Sequence, residues 1–249
     1  MKKILVLGDS CKDVFVYCHA QRLAPDLPVP ILDVIEEAEN PGMAANVARN
    51  IQAIYPHCDL TTNQEWERVT KTRYVHGKTN HTFIRIDSKH PVNPVFSLQD
   101  IPLDDYDIIA ISDYNKGFLT EADIQYICES HSCVFIDTKK QLGDWATKAK
   151  FIKINDFEYE RSKETLTTEL EEKIIRTEGE HGAVYKGKRY PVSEKVEVKD
   201  TTGAGDSFYA ALLARYAETS DIDESIHFAN ECARRAVEQK GVSVISRPA

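Results

Sequence analysis

Five short runs, residues 3–7, 107–112, 133–137, 151–155 and 173–177, are apolar or β-branched almost without interruption at their centres. A strand with no polar face has to be covered on both sides, as in a parallel sheet held between two helical layers. The intervening segments supply the helices. Ala44, Val47, Ala48, Ile51 and Ile54 form one apolar stripe at helical spacing, and Phe208, Ala211, Leu212 and Ala214 form another. Ile226, Ala229, Ala233, Ala236 and Val237 make a third. Ahead of Ile124, Ile127 and Cys128, the string Thr120-Glu121-Ala122-Asp123 reads as a capping box with Asp in the usual Glu position. The expected fold is an α/β three-layer sandwich with a mostly parallel central sheet.

Residues 14–17, 29–34 and 70–87 break this rhythm, because they carry strand-like residues with no helix between them. Thr82-Phe83-Ile84-Arg85-Ile86-Asp87 alternates apolar and polar, the pattern of a sheet with one wet face. These stretches predict a small antiparallel β-flap, a lid built from segments of about 12–36 and 70–88 beside the main sheet. No internal repeat or long linker interrupts the chain, so residues 1–249 are expected to form one domain with its lid.

Charge narrows the partners. With 31 Lys+Arg against 40 Asp+Glu the net charge is −9, and such a chain lacks the positive field that non-specific nucleic-acid binding needs. An anionic substrate then has to be held by local cations. The apolar stretch at the N-terminus is too short for a secretory segment or a membrane span, and no later run is long enough to cross a bilayer. The six cysteines show no CxxC or metal spacing, so reduced thiols in a cytoplasm are expected. Neither nucleic acid nor a membrane is an expected partner.

The chemistry concentrates in Asp200-Thr201-Thr202-Gly203-Ala204-Gly205-Asp206-Ser207-Phe208, where a strand-like Val196-Glu197-Val198 leads through small residues into an amphipathic helix. Gly203 and Gly205 allow close backbone approach, and the N–H groups of such a turn with a helix N-terminus make an anion site. Asp206, at the start of that helix, is placed to take a proton from a hydroxyl as phosphorus is attacked. Taken alone, Gly-x-Gly-Asp reads more readily as an N-cap Asp after an ordinary glycine loop. Two competing phosphate motifs fail. Gly77-Lys78-Thr79 ends like a P-loop, but Thr72 stands where its first glycine belongs. Gly203-Ala204-Gly205 lacks the third glycine of the dinucleotide fingerprint and comes late in the chain.

The whole string Asp-Thr-Thr-Gly-Ala-Gly-Asp-Ser-Phe resembles the catalytic signature of the PfkB/ribokinase family of small-molecule kinases, and the resemblance runs from end to end. It implies a ribokinase-like fold and ATP-dependent phosphorylation of a sugar, with Mg²⁺ and a monovalent cation such as K⁺. Asp206 would be the base, with residues Gly203, Ala204 and Gly205 holding the transferred group. Asp9 and Asp13 look like the family's sugar-hydroxyl clamp. Pro41-Gly42-Met43-Ala44-Ala45-Asn46 looks like its first signature, with Gly42 and Asn46 at the substrate, although Met43 stands where a second glycine is usual. Asp113 and Lys116 of Asp113-Tyr114-Asn115-Lys116-Gly117, and Lys71 and Arg73 of the flap, complete the substrate set. On the nucleotide side the resemblance implies Lys139, Asn155, Glu158, Thr177, Gly179, Gly182, Asn230 and Gly241. Glu158 of Asn-x-x-Glu would organise Mg²⁺ through water, and Asp200 and Thr202 would bind the monovalent cation.

Within the family the likeness is greatest to the heptose 7-phosphate kinases of ADP-heptose synthesis, which implies a small-molecule sugar phosphate as substrate. Arg22, Lys71, Arg73, Arg85 and Lys116 are then the cations available for its phosphate. Alternatives are a family kinase for another sugar or a nucleoside, and a ligand-binding relative. After Ile54 the chain runs straight to the flap where relatives carry about one further βαβ unit, so a shortened form is expected. The exposed flap edge suits pairing of two copies as a homodimer.

Overall fold

The computed structural model describes residues 1–88, 92–93, 98–194 and 196–247. Strand β1 (Ile4–Gly8) shows how the layers arise. In its period of two, Ile4 and Val6 face one helical layer while Leu5 and Leu7 face the other, and all four are buried. β7 (Ile108–Asp113) repeats the division, with Ile108 and Ala110 on the first side and Ile109 and Ile111 on the second. The first layer holds α1 (Ala44–Ile54), α5 (Ala204–Thr219) and α6 (Ile222–Val237). The second includes α2 (Glu121–Ser130), started by the expected capping box between Thr120 and Asp123, and α4 (Thr168–Glu171).

The central sheet runs β12–β11–β10–β9–β8–β7–β1–β4. Its other strands are β4 (Cys58–Thr62), β8 (Val134–Thr138), β9 (Phe151–Asn155), β10 (Ile174–Thr177), β11 (Ala183–Tyr185) and β12 (Lys188–Tyr190). All pairings from β10 to β4 are parallel; the edge hairpin β11–β12 is antiparallel. That hairpin turns through Lys186 and Gly187, both with positive φ, the geometry that suits the twist of a two-residue turn.

The lid is a four-stranded sheet in the order β3–β2–β5–β6, from β2 (Ser10–Leu23), β3 (Pro30–Met43), β5 (Thr70–His76) and β6 (Thr82–Asp87). Here the expectation of an antiparallel flap needs correction, because β2 and β5 pair in parallel. The reason is topological. Between them the chain leaves the lid, forms α1 and edge strand β4, and re-enters in the direction of β2. β4 itself was not foreseen from the sequence, since Cys58-Asp59-Leu60-Thr61-Thr62 is too polar to read as a buried strand. A second correction concerns Val196-Glu197-Val198, which is not a strand. An extended loop with one apolar side has the same period of two, and here Val196 and Val198 wall a cleft instead.

Candidate active site

The helix α5 begins at a turn open to solvent. Gly203, its N-cap, has φ +79°, a left-handed conformation that side chains disfavour. Gly205 is exposed, and Lys153 Nζ lies 3.2 Å from where a Cβ on it would stand. Among the described residues, the N–H groups of Gly203, Gly205 and Asp206 have no acceptor within the protein, whereas that of Ala204 is spent on the Thr201 carbonyl at 3.2 Å. Three free donors and a lysine thus face the same opening, an anion cradle of the kind expected.

Asp206 is buried at the inner side of this turn. Its carboxylate accepts from the Asn46 amide at 2.9 Å and from the Tyr114 hydroxyl. Burial pushes its carboxyl above the usual range. The two hydrogen bonds and Lys153 oppose that push, and Asp137 adds to it. Asn46 is positioned because α1 starts at Ala44, directly after β3 enters from the lid, and Asn50 clasps it through its Oδ1 and carbonyl. Met43, at the N-cap, adopts φ 60° and ψ −132°. That is glycine territory, at a cost of about 1–3 kcal/mol, and it falls where the resembled family carries its second glycine.

One side of the turn opens onto a cleft of about 310 Å³. Val192, Val196, Val198, Phe208, Ala233 and Val237 give it an apolar wall suited to a purine ring. Of the expected nucleotide residues, Thr177, Gly179, Gly182 and Asn230 line it together with Ala204 and Gly205. The Asn230 amide donates to the Tyr190 carbonyl, which fixes its orientation. Gly241 does not line the cleft. Its N–H donates to Asp200, whose other oxygen accepts from the Thr202 N–H. Asp200 therefore acts as a staple between two loops, and Thr202 contributes backbone to it.

The polar ends of β8 and β9 meet beside the cradle. Asp137 and Lys153 form a buried ion pair at 2.9 Å, and neither was foreseen as a site residue. A lysine in an apolar run such as Phe151-Ile152-Lys153-Ile154 is the signal that could have found Lys153, because a charge at the centre of a strand needs a partner. Lys139 pairs with Glu158. Glu158 also closes a reciprocal capping box with Asn155 at the start of α3 (Asp156–Ser162). Each oxygen of Glu158 thus already accepts one hydrogen bond, which leaves it less free for a water-bridged ion than a carboxylate with an open oxygen. Asp137 fits better, since its Oδ1 is buried without a hydrogen-bond partner.

On the other side lies the lid. Asp13 is paired with Arg73 at 2.6 Å. Lys71 is buried, with its ammonium 5.0 Å from the centroid of the Tyr114 ring, and no carboxylate lies within ion-pair distance among the described residues. Two expected substrate residues have other tasks. Asp9 is fully buried and accepts from the N–H groups of Tyr114, Lys116 and Phe118, so it holds the loop after β7 and has no face toward a sugar. Asp113 is buried too, accepting from Lys140 at 2.6 Å and from Thr138. Lys116 is exposed on the same loop. Tyr114 was passed over, although it stands between Asp113 and Lys116 and alone in that loop touches Asp206 among the described residues.

Residues 70–249 match the pfkB family carbohydrate kinase profile. The chain is 28% identical to the bifunctional protein HldE of Vibrio parahaemolyticus, covering 98% of this chain and 61% of that protein. It is 30% identical to the HldE of Helicobacter pylori, covering 99% and 65%. It therefore spans less than two thirds of the length of these relatives. The first alignment needs 299 positions for 98% of this chain, so dozens of them are gaps in it. Among solved structures, the ribokinase from Thermotoga maritima superposes with a TM-score of 0.76 at 20% identity, over 99% of this chain and 97% of that one. The ribokinase of Arabidopsis thaliana complexed with ribose and ATP gives 0.70 at 13% identity, over 97% and 94%. The fold is ribokinase-like, and the chain belongs to the pfkB family of carbohydrate kinases.

Proposed function

We propose that the protein transfers the γ-phosphoryl group of ATP to a hydroxyl of heptose 7-phosphate, by analogy with the family the anomeric one. The observation that carries this reading is the position of Asp206. It lies at the junction between an apolar cleft that suits adenine and a lid-covered side where, among the described residues, the Lys71 ammonium has no carboxylate within ion-pair distance. The acceptor hydroxyl gives its proton to Asp206 as its oxygen bonds the γ-phosphorus, and the bond from phosphorus to the bridging oxygen of ADP breaks. N–H groups of Gly203, Gly205 and Asp206, with Lys153, take up charge on the group in transit. Loss of one such donor typically costs about 3–4 kcal/mol.

Asn46 orients the carboxylate, and the Asp13–Arg73 pair shapes the sugar side. Of the five flap and loop cations, Arg73 and Arg85 are already matched by Asp13 and Asp87. A buried ammonium without a carboxylate is costly, so Lys71 is the group that gains most from a phosphate. Mg²⁺ bound to the nucleotide would neutralise phosphate charge. Asp137 would hold it through water, in keeping with an ion that retains most of its hydration shell. A homodimer through the lid is part of the same reading, supported by the half-exposed Val34, Ile35, Ile84 and Ile86 on its outer strands.

The test is phosphoryl transfer from Mg·ATP to D-glycero-D-manno-heptose 7-phosphate, followed by phosphorus NMR, beside ribose and fructose. A new anomeric phosphate on the heptose alone supports the reading. Robust turnover of an unphosphorylated sugar with none of the heptose phosphate overturns it.

A further inference from the structure

Tyr114 is the one side chain among the described residues that joins the base to the cations on both sides of the site. Its hydroxyl donates to Asp206 Oδ1, while Asn46 donates to Oδ2. The Lys71 ammonium from the lid and the Lys139 ammonium from the loop after β8 stand 5.0 Å and 5.4 Å from its ring centroid. Its own N–H is anchored on the buried Asp9 at 2.7 Å, which fixes the backbone from which the ring projects. Cation–ring contacts of this kind hold an aromatic plane in place.

We propose that Tyr114 is a positioning residue of the transfer step, whose phenol keeps the Asp206 carboxylate charged and aimed at the acceptor hydroxyl. This rests on the kinase reading above. The physical need is plain. A carboxylate removed from water reverts to its neutral form unless donors favour the charge, and a neutral Asp206 cannot accept a proton. Asn46 alone supplies one donor. Each carboxylate oxygen has a second lone-pair direction, so the acceptor can approach Oδ1 while the phenol stays bound.

The charged groups around Asp206 are accounted for by element. Asp137 from β8 works against its ionisation, and Lys153 from β9 works for it. Lys139 from the loop after β8 and the Cys11 thiol from β2 also feel its charge. Burial pushes both that thiol, to about 12, and the Tyr114 phenol far upward. Tyr114 therefore stays a donor wherever the enzyme works.

The experiment is the pH profile of kcat for Tyr114→Phe, which keeps the ring between its lysines and removes only the O–H. The expected result is an acid limb displaced upward by about one pH unit, hence about a tenfold loss at the acid end that closes as pH rises. KM for ATP should be unchanged. A loss of equal size at every pH, or a profile that superposes on the wild type, overturns the proposal. If the wild-type chain transfers phosphate to no sugar, the kinase reading fails instead. Carbon-13 NMR of the aspartate carboxyls then decides the matter of Tyr114: Asp206 should titrate at higher pH in the variant, and an unmoved titration ends the idea. Phenylalanine-for-tyrosine effects on folding are followed separately by thermal melting.

Discussion

A Cβ on residue 42 would lie 2.4 Å from an oxygen of the Asp13 carboxylate, so the absence of a side chain at Gly42 is what lets Asp13 stand where it does. The same missing atom leaves room for Cys11 Sγ, 2.7 Å away. β2 and β3 cross here in antiparallel register, and Asp13 turns from this contact to Arg73 on the neighbouring β5. The lid's geometry next to the site thus hangs on a glycine and an ion pair.

Gly42→Ala should push Asp13 off Arg73. Separating a buried pair typically costs about 3–5 kcal/mol. The variant is expected to melt markedly lower and to bind acceptor more weakly, with ATP affinity little changed. Calorimetry together with separate titrations of the two substrates checks this.

Asp206→Asn keeps the shape of the carboxylate and its bond from Asn46, with the Tyr114 hydroxyl turned to accept from the new amide, while removing its basicity. Proton acceptance is worth about 10²–10⁴-fold, so kcat should fall by that order while Mg·ATP still raises the melting temperature. Turnover near the wild type would remove Asp206 as the base.

In the wild type, burial holds the Asp206 carboxyl above the usual carboxylate range. The base works only when ionised. kcat is therefore expected to drop on acidification before an ordinary carboxylate would begin to protonate, and an acid limb in the normal carboxylate range would contradict the assignment. Rate–pH curves at saturating substrates give the answer.

Lys71→Met should raise KM for a phosphorylated sugar by more than tenfold and leave any slow reaction with unphosphorylated sugars where it was. Because the buried ammonium has no carboxylate within ion-pair distance among the described residues, its loss should not lower the melting temperature. Equal effects on both sugar classes would show that Lys71 does not read the phosphate.

Glu231 of α6 accepts from Arg234 and Arg235 on the same helix and from Ser193 in the loop after β12, at the rim of the cleft that Arg234 lines. Its bond to Arg234, above all, holds its carboxyl down at about 2 against an ordinary 4.5. A depressed carboxyl contributes stability that is complete above the unfolded value and is lost as pH falls toward the folded one. The melting difference between wild type and Glu231→Gln should thus be constant above about pH 4.5 and shrink between there and about pH 2. Added salt should shrink it as well. A difference that grows on acidification would be the wrong sign.

The glycine turn and the strand–helix order were written in the chain itself. Residues 203–206 require a particular backbone, and β1 or β8 can only be a strand covered on both faces, because these demands are local or strictly periodic. The place of Asp206 at the start of a helix was legible there too, whereas Asn46 and Thr177 came from the family resemblance. What the folded molecule alone decided is how each carboxylate is used. Asp9, Asp13, Asp113, Asp137 and Asp206 are the same residue type at similar strand ends or helix starts, yet one holds a loop, two pair with cations beside or below the site, one has an oxygen to spare and one waits for a proton. Hydrogen-bond partners drawn from 16 to 160 positions away, Lys153 for Asp137 and Asn46 for Asp206 being the extremes, set those roles, and no local pattern records which distant donor will arrive. The parallel entry of β5 beside β2 was hidden for the same reason: strand direction in a sheet depends on the path taken between strands, and that path crosses from one sheet to the other.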